Sequence, residues 1–78
     1  MEALGELLQA TMRTRHLTAQ ALADRTGIRT PRIRAFAQDG ADGPVHPTEP
    51  ELAELAAALA LPLPQVLAAA HVPAKMLA

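Results

Sequence analysis

The 78-residue sequence contains no cysteine, serine, tryptophan or tyrosine, and only one phenylalanine. Without cysteine, disulfides and thiolate metal sites are excluded. Without serine, a serine nucleophile is excluded, and the threonines have no paired base. The three histidines, His16, His46 and His71, lack the spacing of metal ligands. We therefore expect a protein that is not an enzyme and that needs no metal or cofactor.

The apolar residues are aliphatic and rich in alanine. Hydrophobic residues make up 50% of the chain, and aromatic residues only 1%. This composition suits short, closely packed helices better than a sheet, which favours β-branched and aromatic residues. The length suits one domain. No apolar run approaches the ~20 residues of a membrane span, and the N-terminus has no basic leader with an apolar core. We expect a cytoplasmic protein with no membrane partner.

Positive charge is concentrated in the first half of the chain. The net charge of −1 alone argues weakly against a nucleic-acid partner. All six arginines, however, lie in the first half, where residues 7–38 contain a single acidic residue, Asp24. Residues 39–78 contain five acidic residues and one lysine. Such a division gives the molecule a basic side that favours an anionic partner.

Apolar spacing and capping signals predict five helices. Helix one is expected at Glu2–Arg15, helix two at Thr18–Thr26, helix three from Thr30, helix four from Thr48, and helix five at Pro64–Ala70. Residues 39–47 contain two glycines and two prolines and are expected to form an irregular loop. The residues expected in the core are Leu4, Leu7, Leu8, Met12, Leu22, Ala23, Ile28, Ile33, Phe36, Ala37, Leu52, Leu55, Ala56, Leu59, Leu63, Val66, Leu67 and Ala70.

Three of these helices carry clear terminal signals. Thr18 is a good N-cap, and Gly27 is suited to end the helix that Thr18 begins. Thr30 followed by Pro31 predicts that Thr30 caps helix three. Thr48 with Glu51 three residues later predicts a capping box at helix four.

Helices two and three, joined at Gly27, predict a helix-turn-helix over residues 18–38. In helix three, Thr30, Pro31, Arg34 and Gln38 fall on the side opposite the apolar residues, and Arg29 and Arg32 flank that side. For Arg32, an ion pair with Asp39 is the alternative. Arginine makes bidentate hydrogen bonds to guanine and contacts phosphate equally well. The start of a helix can hold a phosphate, so the second helix can supply such contacts.

Several segments resemble, in order and spacing, the Cro/C1-type (XRE) helix-turn-helix family, which has the fold of the lambda repressor DNA-binding domain. The segments are Leu4–Leu8, Leu17–Ala23 (similar to the family's LSQEELA), Thr26–Ile28, Pro47–Leu59 and Leu61–Leu67. The resemblance implies an all-α, five-helix, lambda repressor-like bundle. It also implies one domain over residues 1–78, with a helix-turn-helix at 18–38, helices four and five within 48–71, and a tail at 72–78.

The resemblance also implies site residues. Base contacts are expected from Arg29, Thr30, Pro31, Arg32 and Arg34, and phosphate contacts from Thr18, Gln20 and Gln38. The chain departs from the family pattern at three positions. Ala19 replaces a glutamine, Ala37 replaces a glutamate of an internal ion pair, and Arg29 replaces the serine that caps helix three.

These features favour a transcriptional regulator of bacterial or phage origin that binds a double-stranded DNA operator. Abundant alanine and arginine with a single lysine favour an actinobacterial host or its phage. The resemblance implies a homodimer formed through helix five and the tail. Two alternatives remain. One is a protein-interaction module of the same fold, such as an antirepressor or accessory domain, and the other is an antitoxin that binds both DNA and a toxin.

Overall fold

The structure is a computed structural model that describes residues 3–71. Its helices are joined by turns and one longer irregular segment. The elements are α1 (Leu4–Thr14), α2 (Ala19–Thr26), α3 (Thr30–Asp39), a 3₁₀ turn (Gly40–Asp42), α4 (Glu49–Leu59) and α5 (Leu63–Ala69). The predicted all-α class and the five helices are confirmed for this part of the chain, which contains no strand. Two predictions, the start of helix one at Glu2 and the tail at residues 72–78, lie outside the described residues.

The predicted caps of α2 and α4 are confirmed. The Thr18 hydroxyl accepts a hydrogen bond of 3.0 Å from the Ala21 amide, and Gly27 ends α2 with a φ of 78°. At α4, the Glu51 amide donates to the Thr48 hydroxyl, and the Thr48 amide donates to Glu51 Oε1 at 2.8 Å. These local bonds satisfy amide groups that a helix leaves without partners, and they fix where each helix begins.

The predicted cap of α3 is wrong by one residue. Arg29 occupies the N-cap position with extended backbone, and its side chain makes no capping bond. Thr30 is already helical, and its hydroxyl donates to Gln20 Oε1 on α2 across 3.5 Å. A contact between helices has therefore replaced the local cap. Pro31 still lies in the first turn, where its missing amide hydrogen costs nothing.

The predicted irregular loop at residues 39–47 is also partly wrong. Helix α3 continues to Asp39, and the 3₁₀ turn at Gly40–Asp42 follows it. Gly40 has a φ of 71°, and its amide donates to the Phe36 carbonyl, which ends the helix. The remaining segment, residues 43–48, has no helix or strand and leads into α4.

One core, aliphatic apart from Phe36, joins the five helices. Its buried members are Leu4, Leu7, Leu8, Leu22, Ala23, Ile28, Ile33, Phe36, Leu52, Leu55, Ala56, Leu59, Val66, Leu67, Ala69 and Ala70. Met12 and Ala37, which were also predicted there, are half-buried against it. The prediction that Leu63 belongs to the core is wrong, because this residue is 37% exposed. It is the first residue of α5, and the buried face of that helix begins one turn later, at Val66.

Helix α3 packs against α1, α2 and the 3₁₀ turn. Helices α1 and α3 approach closely at Gly5, where an added Cβ would lie 2.8 Å from the Ala37 carbonyl oxygen. One turn later, Gln9 Nε2 donates to the same oxygen at 2.6 Å. Helix α3 is therefore held on its inner side by both packing and a hydrogen bond. No helix within residues 3–71 is long and apolar enough to cross a membrane.

Candidate nucleic-acid interface

The turn between α2 and α3 is closed by its own hydrogen bonds. The Gly27 amide donates to the Ala23 carbonyl at 2.9 Å. The Thr26 hydroxyl donates to the Leu22 carbonyl at 2.8 Å and accepts from the Ile28 amide at 3.1 Å. Ile28 is buried directly after the glycine. Together these contacts fix how α3 leaves the turn, a role of Thr26 that the sequence did not reveal.

The side of α3 that faces away from the core carries most of the predicted base contacts. Arg29, Pro31 and Arg34 are exposed, and Thr30 is half-buried. The opposite side is fully buried, since Ile33 and Phe36 are inaccessible to solvent. Gln38, the predicted phosphate contact at the far end of α3, is also exposed. Two exposed guanidinium groups thus lie at this end of the domain, that of Arg29 at the N-cap of α3 and that of Arg34 on its outer side.

The start of α2 lies beside the start of α3. Gln20 Oε1 accepts from the Thr30 hydroxyl, and Gln20 Nε2 donates to Asp24 Oδ1 at 3.3 Å. Thr18 and Gln20 are both exposed. The two predicted phosphate-contacting residues of α2 are therefore adjacent to the outer side of α3. The same Gln20 side chain also contacts Asp24 within α2.

Arg32 is placed differently from the other arginines of α3. Its Nε donates to Glu51 Oε2 at 2.8 Å, and its Nη2 donates to Glu51 Oε1 at 2.8 Å. Nη2 also lies 3.3 Å from the His46 carbonyl oxygen, and the guanidinium carbon lies 5.4 Å from the centre of the Phe36 ring. The partner is thus on α4, and Asp39 is not involved. Arg32 is held by the protein itself, so its expected role as a base contact is not supported.

The internal contacts that orient α3 were not found in the sequence. On the α1 side, the Ala37 carbonyl oxygen accepts a hydrogen bond from Gln9. The Arg32–Glu51 pair supplies a second anchor, on the α4 side. The sequence contains a partial signal for the Arg32–Glu51 pair. The capping box predicts that one carboxylate oxygen of Glu51 binds Thr48, which leaves the other oxygen for a cation.

Comparison of the chain with models of protein families, with curated proteins and with solved structures gives no match. Within residues 3–71, no group of three or more histidine, cysteine or acidic side chains could hold a metal ion.

Charge is distributed unevenly over the site. In the described part of the chain, Arg32 and Glu51 form an ion pair, and His71 lies 3.5 Å from Asp42 in a contact that is ionic only when the histidine is protonated. Arg29 and Arg34 take part in neither pair, so their full charge faces solvent. Glu51 neutralises Arg32. The N-cap and outer side of α3 therefore offer two cations, although residues 29–34 contain three arginines.

Arg32 strongly perturbs the ionisation of Glu51. Hydrogen bonds from Arg32 lower the Glu51 pKa from 4.5 to about 2; burial opposes this change, and bonds from Thr48 add to it. The pKa of Arg32 is raised in turn by its hydrogen bond to Glu51. Both groups are thus charged throughout the physiological range, and the pair is a permanent ionic contact.

This shift predicts how stability depends on pH. Because the folded pKa is below the unfolded value, the contribution of Glu51 is complete above pH 4.5 and disappears as the pH falls towards about 2. We expect the melting temperature of the wild type to exceed that of Glu51→Gln above pH 4.5, and the difference to close near pH 2. The matched control is Glu49→Gln, for which the difference should not follow this pattern. A constant gap down to pH 2 would contradict the prediction.

Proposed function

We propose that this chain binds double-stranded DNA through α3, as a transcriptional regulator of the Cro/C1 type with a lambda repressor-like arrangement of helices. The observation that supports this proposal is the fixed turn at Gly27, from which α3 leaves with Arg29 exposed at its N-cap and Arg34 exposed on its outer side. A helix of this size fits the major groove of B-DNA, which is about 12 Å wide.

The proposed contacts divide into two groups. Arg29, Thr30, Pro31 and Arg34 face the base edges, where arginine can bind guanine with two hydrogen bonds. The exposed side chains Thr18, Gln20 and Gln38 face phosphates on either side of the groove and orient the domain without contributing to sequence preference. The hydrogen bond between Gln20 and Thr30 supports this arrangement, because it holds a proposed phosphate contact next to a proposed base contact.

The same proposal includes pairing of two copies on a palindromic operator. A single small domain makes few phosphate contacts, and two copies spaced one helical turn apart double them. The exposed Leu63 at the start of α5 supports self-association through that helix. We also propose that the protein acts in the cytoplasm of a bacterial cell.

The proposal is tested by titrating the purified protein against a random-sequence DNA duplex at several salt concentrations. We expect binding that weakens with salt, because the logarithm of the binding constant falls with a slope of about −0.9 for each phosphate contacted. Selection from a random duplex pool should then enrich a palindrome. A protein that binds no duplex at low ionic strength would refute the proposed function.

A second candidate function is a protein-interaction module of the same fold, either an antirepressor, an accessory domain or an antitoxin. It is favoured by the neutralisation of Arg32, which leaves α3 with fewer cations than its sequence contains. Such a module would show weak duplex binding with little salt dependence. It would also co-purify with a protein partner.

A further inference from the structure

Glu51 lies where it controls how many cations α3 presents. Its carboxylate receives two hydrogen bonds of 2.8 Å from Arg32, one on each oxygen. The same carboxylate closes the capping box of α4 through the Thr48 amide. Because the start of α4 holds Glu51 in place, Glu51 is a fixed anchor, and Arg32 is the long side chain that it captures.

Arg32 would have room to move if this anchor lost its charge. The side chain of Arg32 is 38% exposed, and it lines an open groove of about 360 Å³ between the Gly27 turn and the start of α4. Arg29 lines the same groove. Arg32 therefore lies at the border between the outer side of α3 and α4, where a long side chain can turn in either direction.

We propose that Glu51 is a specificity-determining residue, which withholds Arg32 from DNA phosphates and so limits sequence-independent binding; this inference rests on the proposed function. Each phosphate that a protein neutralises increases affinity for every sequence alike. By holding one of the three arginines within residues 29–34, Glu51 leaves a larger share of the binding energy to base contacts. The permanent charge of the pair, reflected in the low pKa of Glu51, keeps Arg32 held across the physiological pH range.

The test compares Glu51→Gln with the wild type on a random-sequence duplex. Glutamine retains the capping function, because the capping box accepts either Glu or Gln at this position. We expect the salt slope to steepen by about 0.9 for each copy bound, and the affinity at about 50 mM salt to rise about tenfold. Thermal unfolding followed by circular dichroism checks that each variant is folded at the assay temperature.

Two further variants separate release of Arg32 from a general loss of negative charge. Glu49→Gln changes the same charge on the same helix without freeing Arg32, and it should leave the salt slope unchanged. The double variant Arg32→Gln with Glu51→Gln has the net charge of the wild type, and it should return to the wild-type slope.

The outcomes distinguish this inference from the proposed function. If the wild type binds duplex DNA, but Glu51→Gln has the same slope as the wild type or as Glu49→Gln, the inference is wrong and the proposed function stands. A double variant that keeps the steeper slope would also overturn the inference. If neither the wild type nor Glu51→Gln binds any duplex, both proposals fail.

Discussion

Replacing Phe36 by alanine is expected to unfold the domain or to bring it close to unfolding. Phe36 is inaccessible to solvent and is the only aromatic residue of the chain. Truncating a buried phenylalanine typically costs about 3–5 kcal/mol. A chain of this length has a total stability of roughly 4–12 kcal/mol. One substitution therefore removes a large part of the free energy of unfolding.

The measurement is thermal unfolding followed by circular dichroism. For a domain of this size, the loss corresponds to a fall in melting temperature of roughly 12–40 °C. Phe36→Leu is the matched control, because it keeps most of the site filled and should cost less than about 1.5 kcal/mol. A melting temperature of Phe36→Ala close to that of the wild type would show that the Phe36 side chain does not hold the core together.

Phe36 also connects the core with the candidate interface. The Arg32 guanidinium lies over its ring, and Ile33 is buried on the same side of α3. The aromatic face favours a cation above it, so the ring helps to keep Arg32 beside α4. Phe36→Leu should therefore loosen Arg32 without unfolding the domain.

Local signals in the sequence were sufficient to predict most helix ends. Thr18, Gly27 and the Thr48–Glu51 pair specify their helix ends through bonds to residues at most four positions away, so the sequence alone contains the information. The N-cap of α3 was predicted one residue too late. The hydroxyl expected to cap that helix bonds instead to Gln20, ten positions earlier in the chain. Such a contact depends on how two helices pack, which capping rules do not describe.

The candidate site was predictable to a similar extent. The buried residues Ile33 and Phe36 determine which side of α3 faces outward, so the exposure of Arg34 and Gln38 followed from helical periodicity. Arg32 lies at the edge of that side, where periodicity does not decide the direction of a long side chain. Its partner is nineteen residues away on α4. The pairing therefore required the relative position of two helices.

Within the proposed function, Arg34→Ala is expected to cause the largest single loss of sequence preference. Arg34 is exposed near the middle of the outer side of α3. A bidentate contact from arginine to guanine contributes about 1–3 kcal/mol of discrimination, which corresponds to roughly 5–150-fold in affinity. The loss should appear on the duplex enriched from a random pool, and it should be much smaller on a random-sequence duplex, where only one charge is removed.

The matched control is Arg25→Ala, which removes the same charge from the exposed last turn of α2. Arg25 lies on α2 and not on the outer side of α3, so its removal should cost no base contact. We therefore expect the ratio of affinities for the enriched and random duplexes to remain within about twofold of the wild type. Fluorescence anisotropy titrations with both duplexes measure this ratio for each variant. If the two substitutions reduce the ratio equally, Arg34 acts only through its charge, and the base contacts must come from elsewhere on the protein.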